Sequence, residues 1–140
     1  MRHGGEAADT SVLVAAFASW HPAHAAAADA LDSAAGVPAH VVVETYSVLT
    51  RLPPPHRVRP AVAAEWLRRR LVGQPLAPAG ATVAMLPATA SELGIAGGAV
   101  YDALVALTAR DAGARLLTRD LRAIRTYELL GVAYTVVGPL

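Results

Sequence analysis

The chain has 140 residues, 54% of them hydrophobic and 16% charged, with a formal net charge of +1. That length suits one domain over 1–140 that buries roughly two thirds of its unfolded surface, and the composition excludes a disordered chain. The absence of cysteine excludes a disulfide framework, a thiolate zinc site and a thiol nucleophile, and the near-neutral charge excludes a whole-surface attraction to nucleic acid.

The start, MRHGGEAADT, lacks the apolar run of a signal peptide, and no segment approaches the ~18 consecutive apolar residues of a membrane span. These features predict a soluble, cytoplasmic protein with no membrane contact. All twelve basic residues are arginine, a bias that GC-rich coding also produces, so any basic footprint has to be local.

In chain order, RHGGEAA (2–8) lacks the apolar run of a strand buried on both faces. It predicts a short, poorly formed first strand or a chain start elsewhere. TSVLVAAFA (10–18) reads as a short helix. HPAHAAAADALDSAAG (21–36) reads as an alanine-rich helix with Pro22 near its start and Gly36 at its end. VPAHVVV (37–43) predicts a strand running into a helix through Leu52, stopped by PPP at 53–55. Arg59 to Leu71 predicts a helix with Pro60 in its first turn, and GQPLAPAGA (73–81) a loop. TVAML (82–86) is strand-like, and ATASELG (88–94) a short helix. GGAVYDALVALTARDAG (97–113) predicts a long helix closed by Gly113. ARLLT (114–118) predicts a strand, LRAIRTYELLG (121–131) a helix and VAYTVV (132–137) a last strand. The alternation implies an α/β fold, with a mostly parallel central sheet flanked by helices on both faces.

Four acids have settings that favour the mouth of such a sheet: Asp9, Glu44, Asp102 and Asp120. Ligands bind outside the carboxyl ends of parallel strands, where Asp9 and Asp120 would follow strands. Glu44 and Asp102 are placed in the first turns of helices leaning over the same edge. Singly, Asp9 and Asp120 read as N-caps, and Glu44 and Asp102 as acids favoured by the helix dipole. Together they would repel and raise one another's pKa, which is tolerable if they bind cations or partly protonate. Oxygen-only ligands favour Mg²⁺ or Mn²⁺ over zinc, and two such ions suit phosphodiester hydrolysis.

DTSVLVA, ETYSVLTR and above all YDALVALTARDAGARLLTRD carry a resemblance to the PIN-domain nucleases. In length and order the chain is similar to the VapC toxins of bacterial toxin–antitoxin pairs. The resemblance spans Asp9 through Val137 and departs from the family at RHGGEAA, where an apolar strand is usual. It implies a three-layer α/β/α domain and a metal-dependent endoribonuclease that cuts single-stranded or loop RNA. By residue match it assigns Asp9, Glu44, Asp102 and Asp120 to catalysis and to Mg²⁺ or Mn²⁺, with Thr118 supporting the metal shell. It also implies a small VapB-like antitoxin, a homodimer and a toxin–antitoxin hetero-oligomer.

Arg119, Arg122 and Arg125 recur at helical spacing and are candidates for RNA phosphates, with a solvated face as the competing reading. His21 and His24 read as a surface helix start, Arg68–Arg70 as a solvated helix end, and Tyr101 as core or a base-stacking ring. Leu13, Val14, Phe17 and Trp20 offer apolar surface for a partner, although core packing competes for Leu13 and Phe17. The alternatives are an RNA-processing PIN nuclease without an antitoxin and a catalytically inactive RNA- or protein-binding module.

Overall fold

A computed structural model describes residues 5–33, 35–71 and 73–139. The elements are β1 (Glu6–Ala8), α1 (Thr10–Phe17), α2 (His24–Asp32), α3 (Ala39–Thr50), α4 (Pro60–Arg70), α5 (Gly80–Leu93), α6 (Ala99–Asp111), β2 (Arg115–Thr118), α7 (Leu121–Leu129) and β3 (Tyr134–Val136). The strands lie in the order β1-β2-β3, all parallel, with Ala8 opposite Leu117 and Thr118 opposite Val136. Helices flank this sheet, giving the three-layer α/β/α arrangement.

The polar segment at the start does form a strand, over three residues. Ala7 and Ala8 are fully buried, so two methyl groups suffice where a longer apolar run was expected. On its free side β1 meets the chain at Gly36, through an isolated bridge from Ala7. A β-carbon on Gly36 would come within 2.9 Å of Leu76 Cδ1, so a larger residue there would have to displace the Leu76 side chain. The part of the expectation that falls on residues 1–4 lies outside the described residues.

Two strand expectations fail. VPAHVVV contributes only the isolated bridge from Pro38 to Leu76, and α3 begins at Ala39. Its buried residues Val41, Thr45 and Leu49 recur every four positions, a helical period that β-branched composition masked. TVAML joins ATASELG in a single helix, α5, which carries Pro87 inside it and buries Leu86 and Ala90. Asp111 fixes its start by accepting from Ala79 N at 3.0 Å and Thr82 Oγ1 at 2.7 Å.

The alanine-rich helix is shorter than expected, running from His24 to Asp32, with Pro22 in the turn before it and Gly36 in the bridge to β1. Helices α1, α4, α6 and α7 begin close to where their signals place them. Pro60 sits in the first turn of α4, and Gly94 closes α5 in the left-handed conformation. At the other end of α4, Glu65 accepts from Arg68 and Arg69, and Arg70 pairs with Asp32, so Arg68–Arg70 form a solvated end. The main core joins β1, β2, α1, α6 and α7 through residues such as Leu13, Leu116, Leu117 and Tyr127. Leu13 is thereby removed from the expected partner surface. Phe17 is half-buried, edge-on to Trp66 at 5.3 Å, while Trp20 stays exposed. Among the described residues no helix is long and apolar enough to cross a membrane.

Candidate active site

Beyond the carboxyl ends of β1 and β2 lies a cleft of about 390 Å³ lined by Asp9, Glu44, Asp102 and Asp120. Asp9 follows β1 directly and caps α1, accepting from Val12 N at 3.3 Å. Its Oδ1 also accepts from Ser11 Oγ at 2.5 Å, and its Oδ2 from the Tyr127 hydroxyl at 2.9 Å. Burial pushes the Asp9 carboxyl up, while the hydroxyls of Ser11, Thr118 and Tyr127 and the Val12 N–H pull it back. An ionised carboxylate has about four acceptor sites, and the protein's own donors engage most of those on Asp9.

Asp120 follows β2 and caps α7, accepting from Arg122 N at 3.0 Å and Ala123 N at 3.3 Å. Both strand-end acids are therefore true helix caps and cleft residues at once. The two readings weighed from the sequence do not compete, because a cap uses only part of a carboxylate's capacity.

Glu44 differs from expectation. It lies in the second turn of α3, since the helix starts at Ala39 and has no acid in its first turn. One face of α3 turns toward α1, and Thr10 Oγ1 donates to Glu44 Oε1 at 2.5 Å. Asp102 does fall in the first turn of α6. Its carboxyl is pushed up to about 6, first by burial and then by the charges of Asp120, Glu44 and Asp9, with Arg122 opposing. That list of causes is the electrostatic signature of four acids sharing one cleft.

Thr118 is fully buried at the end of β2, behind the cleft wall. Its Oγ1 accepts from Asp120 N at 3.0 Å, and its hydroxyl helps to hold Asp9 ionised. One side chain thus orients both strand-end acids. Ser11 acts similarly: its Oγ donates to Asp9 and accepts from Arg119 N at 2.7 Å, tying the β1 and β2 ends together.

The three arginines separate. Arg119 precedes α7 and does not share its helical face; its Nη1 donates to the carbonyls of Val137 and Pro139. Arg122 lines the cleft with a side chain 96% exposed, and Arg125 is exposed on α7 away from the lining. Tyr101 is 53% exposed and stacks parallel to His40 at 5.2 Å, so core packing does not describe it. His24 opens α2 and pairs through Nδ1 with Ala15 O. His21 lies in the cleft wall instead of on a helix.

Sequence reasoning missed Tyr127, Thr10, Arg51 and the site role of His21. Tyr127 carried no local signal, because its partner Asp9 is 118 residues away. The hydroxyls beside Asp9 in DTS were the one hint within reach.

Among the described residues no three Asp, Glu or His side chains are gathered closely enough to enclose an ion by themselves. The donor set nonetheless fits a hydrated Mg²⁺ or Mn²⁺: all oxygen, in carboxylate excess, and open to solvent on one side. Mg²⁺ retains several waters and commonly needs only one or two carboxylates plus substrate phosphate.

A profile of the PIN domain matches residues 7–129, a span that contains all four acids. The chain is 51% identical over 131 residues to proteins named Ribonuclease VapC40 from Mycobacterium tuberculosis strains CDC 1551 and H37Rv, covering 94% of this chain and 98% of theirs. It is 46% identical to Ribonuclease VapC27 of strain H37Rv, with 94% and 96% covered. With its parallel sheet and its acids at the strand ends, the chain belongs to the PIN-domain family, among its VapC-type members.

Proposed function

We propose that this protein is a metal-dependent endoribonuclease, the toxin of a toxin–antitoxin pair, acting in the cytoplasm on single-stranded or loop RNA. The observation that carries the reading is the cleft in which Asp102 is pushed up to about 6 by burial and three neighbouring acids. Accumulated negative charge of this kind repels RNA phosphates unless cations intervene. Mg²⁺ or Mn²⁺, when bound, would polarise the scissile phosphate and activate a water for attack.

The chain's own residues supply the rest. Asp9, Glu44, Asp102 and Asp120 would hold the ion or its waters. Ser11, Tyr127 and Thr118 oppose the burial that pushes the Asp9 carboxyl up, and Thr10 fixes Glu44. Arg122, exposed at the rim and only 3.9 Å from Asp120 Oδ1 in a solvent-facing pair, would exchange that partner for a phosphate oxygen.

Single-stranded RNA should be cut in Mg²⁺ or Mn²⁺ and left intact in excess EDTA, with Ca²⁺ supporting little cleavage because its coordination is looser. Persistent cleavage in chelator, after exclusion of contaminating nucleases, would refute the metal mechanism.

A small VapB-like antitoxin is the expected partner, together with self-association of the toxin. Between α1 and α4 a shallow apolar groove lined by Phe17, Val62 and Trp66 offers a seat for an amphipathic helix. Expression alone should arrest bacterial growth, and Asp9→Asn or the co-expressed antitoxin should relieve the arrest. Harmless high-level expression of the soluble wild-type chain, with no small partner co-purifying, would reject the toxin role and leave an RNA-processing nuclease.

A further inference from the structure

Trp20 occupies the link between α1 and α2 and is 51% exposed. Its indole stacks on His56 of the α3–α4 link, ring centroids 4.0 Å apart and planes 29° apart, and the His21 ring lies 6.0 Å away at 38°. His21 is itself a wall of the acidic cleft. Its Nδ1 accepts from Ala23 N at 3.0 Å, so in the neutral ring Nε2 carries the proton and is a donor. An aromatic strip therefore leads from the cleft onto the outer surface.

Packing explains where this strip sits but not why the Trp20 and His56 rings are exposed while His21 is half-buried. The α3–α4 link is anchored on α1 by a separate apolar cluster of Leu49, Val58 and Ala63 with Val14, Phe17 and Leu52. That anchoring brings His56 over Trp20. The link, RLPPPHRVR at 51–59, holds three arginines and one histidine and no acid. Arg51 also lines the cleft, and Arg57 is steadied by donating from Nε to Leu52 O at 2.9 Å. The rim here is basic and flat-ringed beside an acidic centre. Single-stranded nucleic acid is bound by this combination, bases stacking on rings while cations follow the backbone. A protein helix would be better served by the apolar groove between α1 and α4.

We propose that Trp20, His56 and His21 form a base-stacking platform for a nucleotide flanking the scissile phosphate of single-stranded RNA, with Arg51 and Arg57 contacting its backbone. This rests on the ribonuclease reading above. The platform binds any base, since each presents a π face, and therefore raises affinity without naming a sequence.

Trp66→Phe leaves Trp20 as the sole tryptophan of the full chain. In that protein, carrying Asp102→Asn to prevent turnover, a short single-stranded RNA of random sequence should quench Trp20 fluorescence. Trp20→Ala should weaken its binding roughly 5- to 100-fold, with Trp20→Phe recovering most of the loss. In otherwise wild-type protein Trp20→Ala should raise KM with kcat nearly constant, a comparison that needs no change at Trp66. Quenching of Trp20 by RNA in the Trp66→Phe chain, with no RNA cleaved by the wild-type chain, supports the platform and refutes the ribonuclease reading. Cleavage with parental KM in both Trp20→Ala and His56→Ala overturns the platform alone. Protection of Trp20 by a protein partner, with no response to RNA, overturns it in favour of a protein contact.

Discussion

Asp102→Asn should lower RNA cleavage by roughly two orders of magnitude or more while leaving the fold intact. The amide keeps the size of the side chain and removes its charge from a cleft already crowded with Asp9, Glu44 and Asp120. Unlike Asp9 and Asp120, Asp102 is not the cap of its helix, which begins with no side-chain cap bond. Its loss therefore costs no capping energy. In metal-free buffer the variant should be at least as stable as the parent near neutral pH.

The pH dependence gives that comparison a sign. The folded-state pKa of Asp102 is raised, from the model-peptide value of 3.8 to about 6. The native chain thus binds more protons than the unfolded one between those values, and its stability falls as pH rises through them. The extra stability is present below about pH 4 and gone above about pH 6, amounting to on the order of 1 kcal/mol once solvent screening is allowed for. Asp102→Asn should remove this contribution, and paired urea titrations across that window measure it. An unchanged rate with a loss of about 1 kcal/mol would instead mark Asp102 as a helix-dipole residue.

Tyr127 is expected to show the largest stability effect. It is 1% exposed in the main core and also donates to Asp9 at 2.9 Å. Tyr127→Ala should cost about 3–5 kcal/mol, as for other buried aromatic truncations. Tyr127→Phe keeps the ring and removes only the hydroxyl, leaving a buried carboxylate short of one donor, at about 1–3 kcal/mol. The phenylalanine variant should push the Asp9 carboxyl further up and move the acidic limb of the rate–pH profile to higher pH. A variant with parental stability and parental pH profile would show that the hydroxyl does nothing for Asp9.

How much of this was legible beforehand depended on whether the signal was local. Caps and breakers are local, so α1, α4, α6 and α7 and the glycine stops were readable from residues a turn apart. β2 and β3 were readable as short apolar runs between turn signals. The helical state of 37–43 was not, because β-branched composition outweighed a helical period that shows only once the buried positions are known. Nor was that of 82–86, because Pro87 reads as a break and the helix runs through it. Asp9, Glu44, Asp102 and Asp120 were nameable from their motifs.

The sequence by itself determined the element types near strong caps, the acidic set and the family. Tertiary structure alone decided what those acids meet. Parallel pairing of β1 with β2 brings residues 9 and 120 to one edge, and Ser11 and Thr118 bridge the two strand ends. The fold also supplied Tyr127 to Asp9, sent Arg119 to the C-terminal carbonyls, and stacked His56 on Trp20. Each of these contacts joins residues far apart in the chain, and neither propensity nor periodicity carries information over that separation.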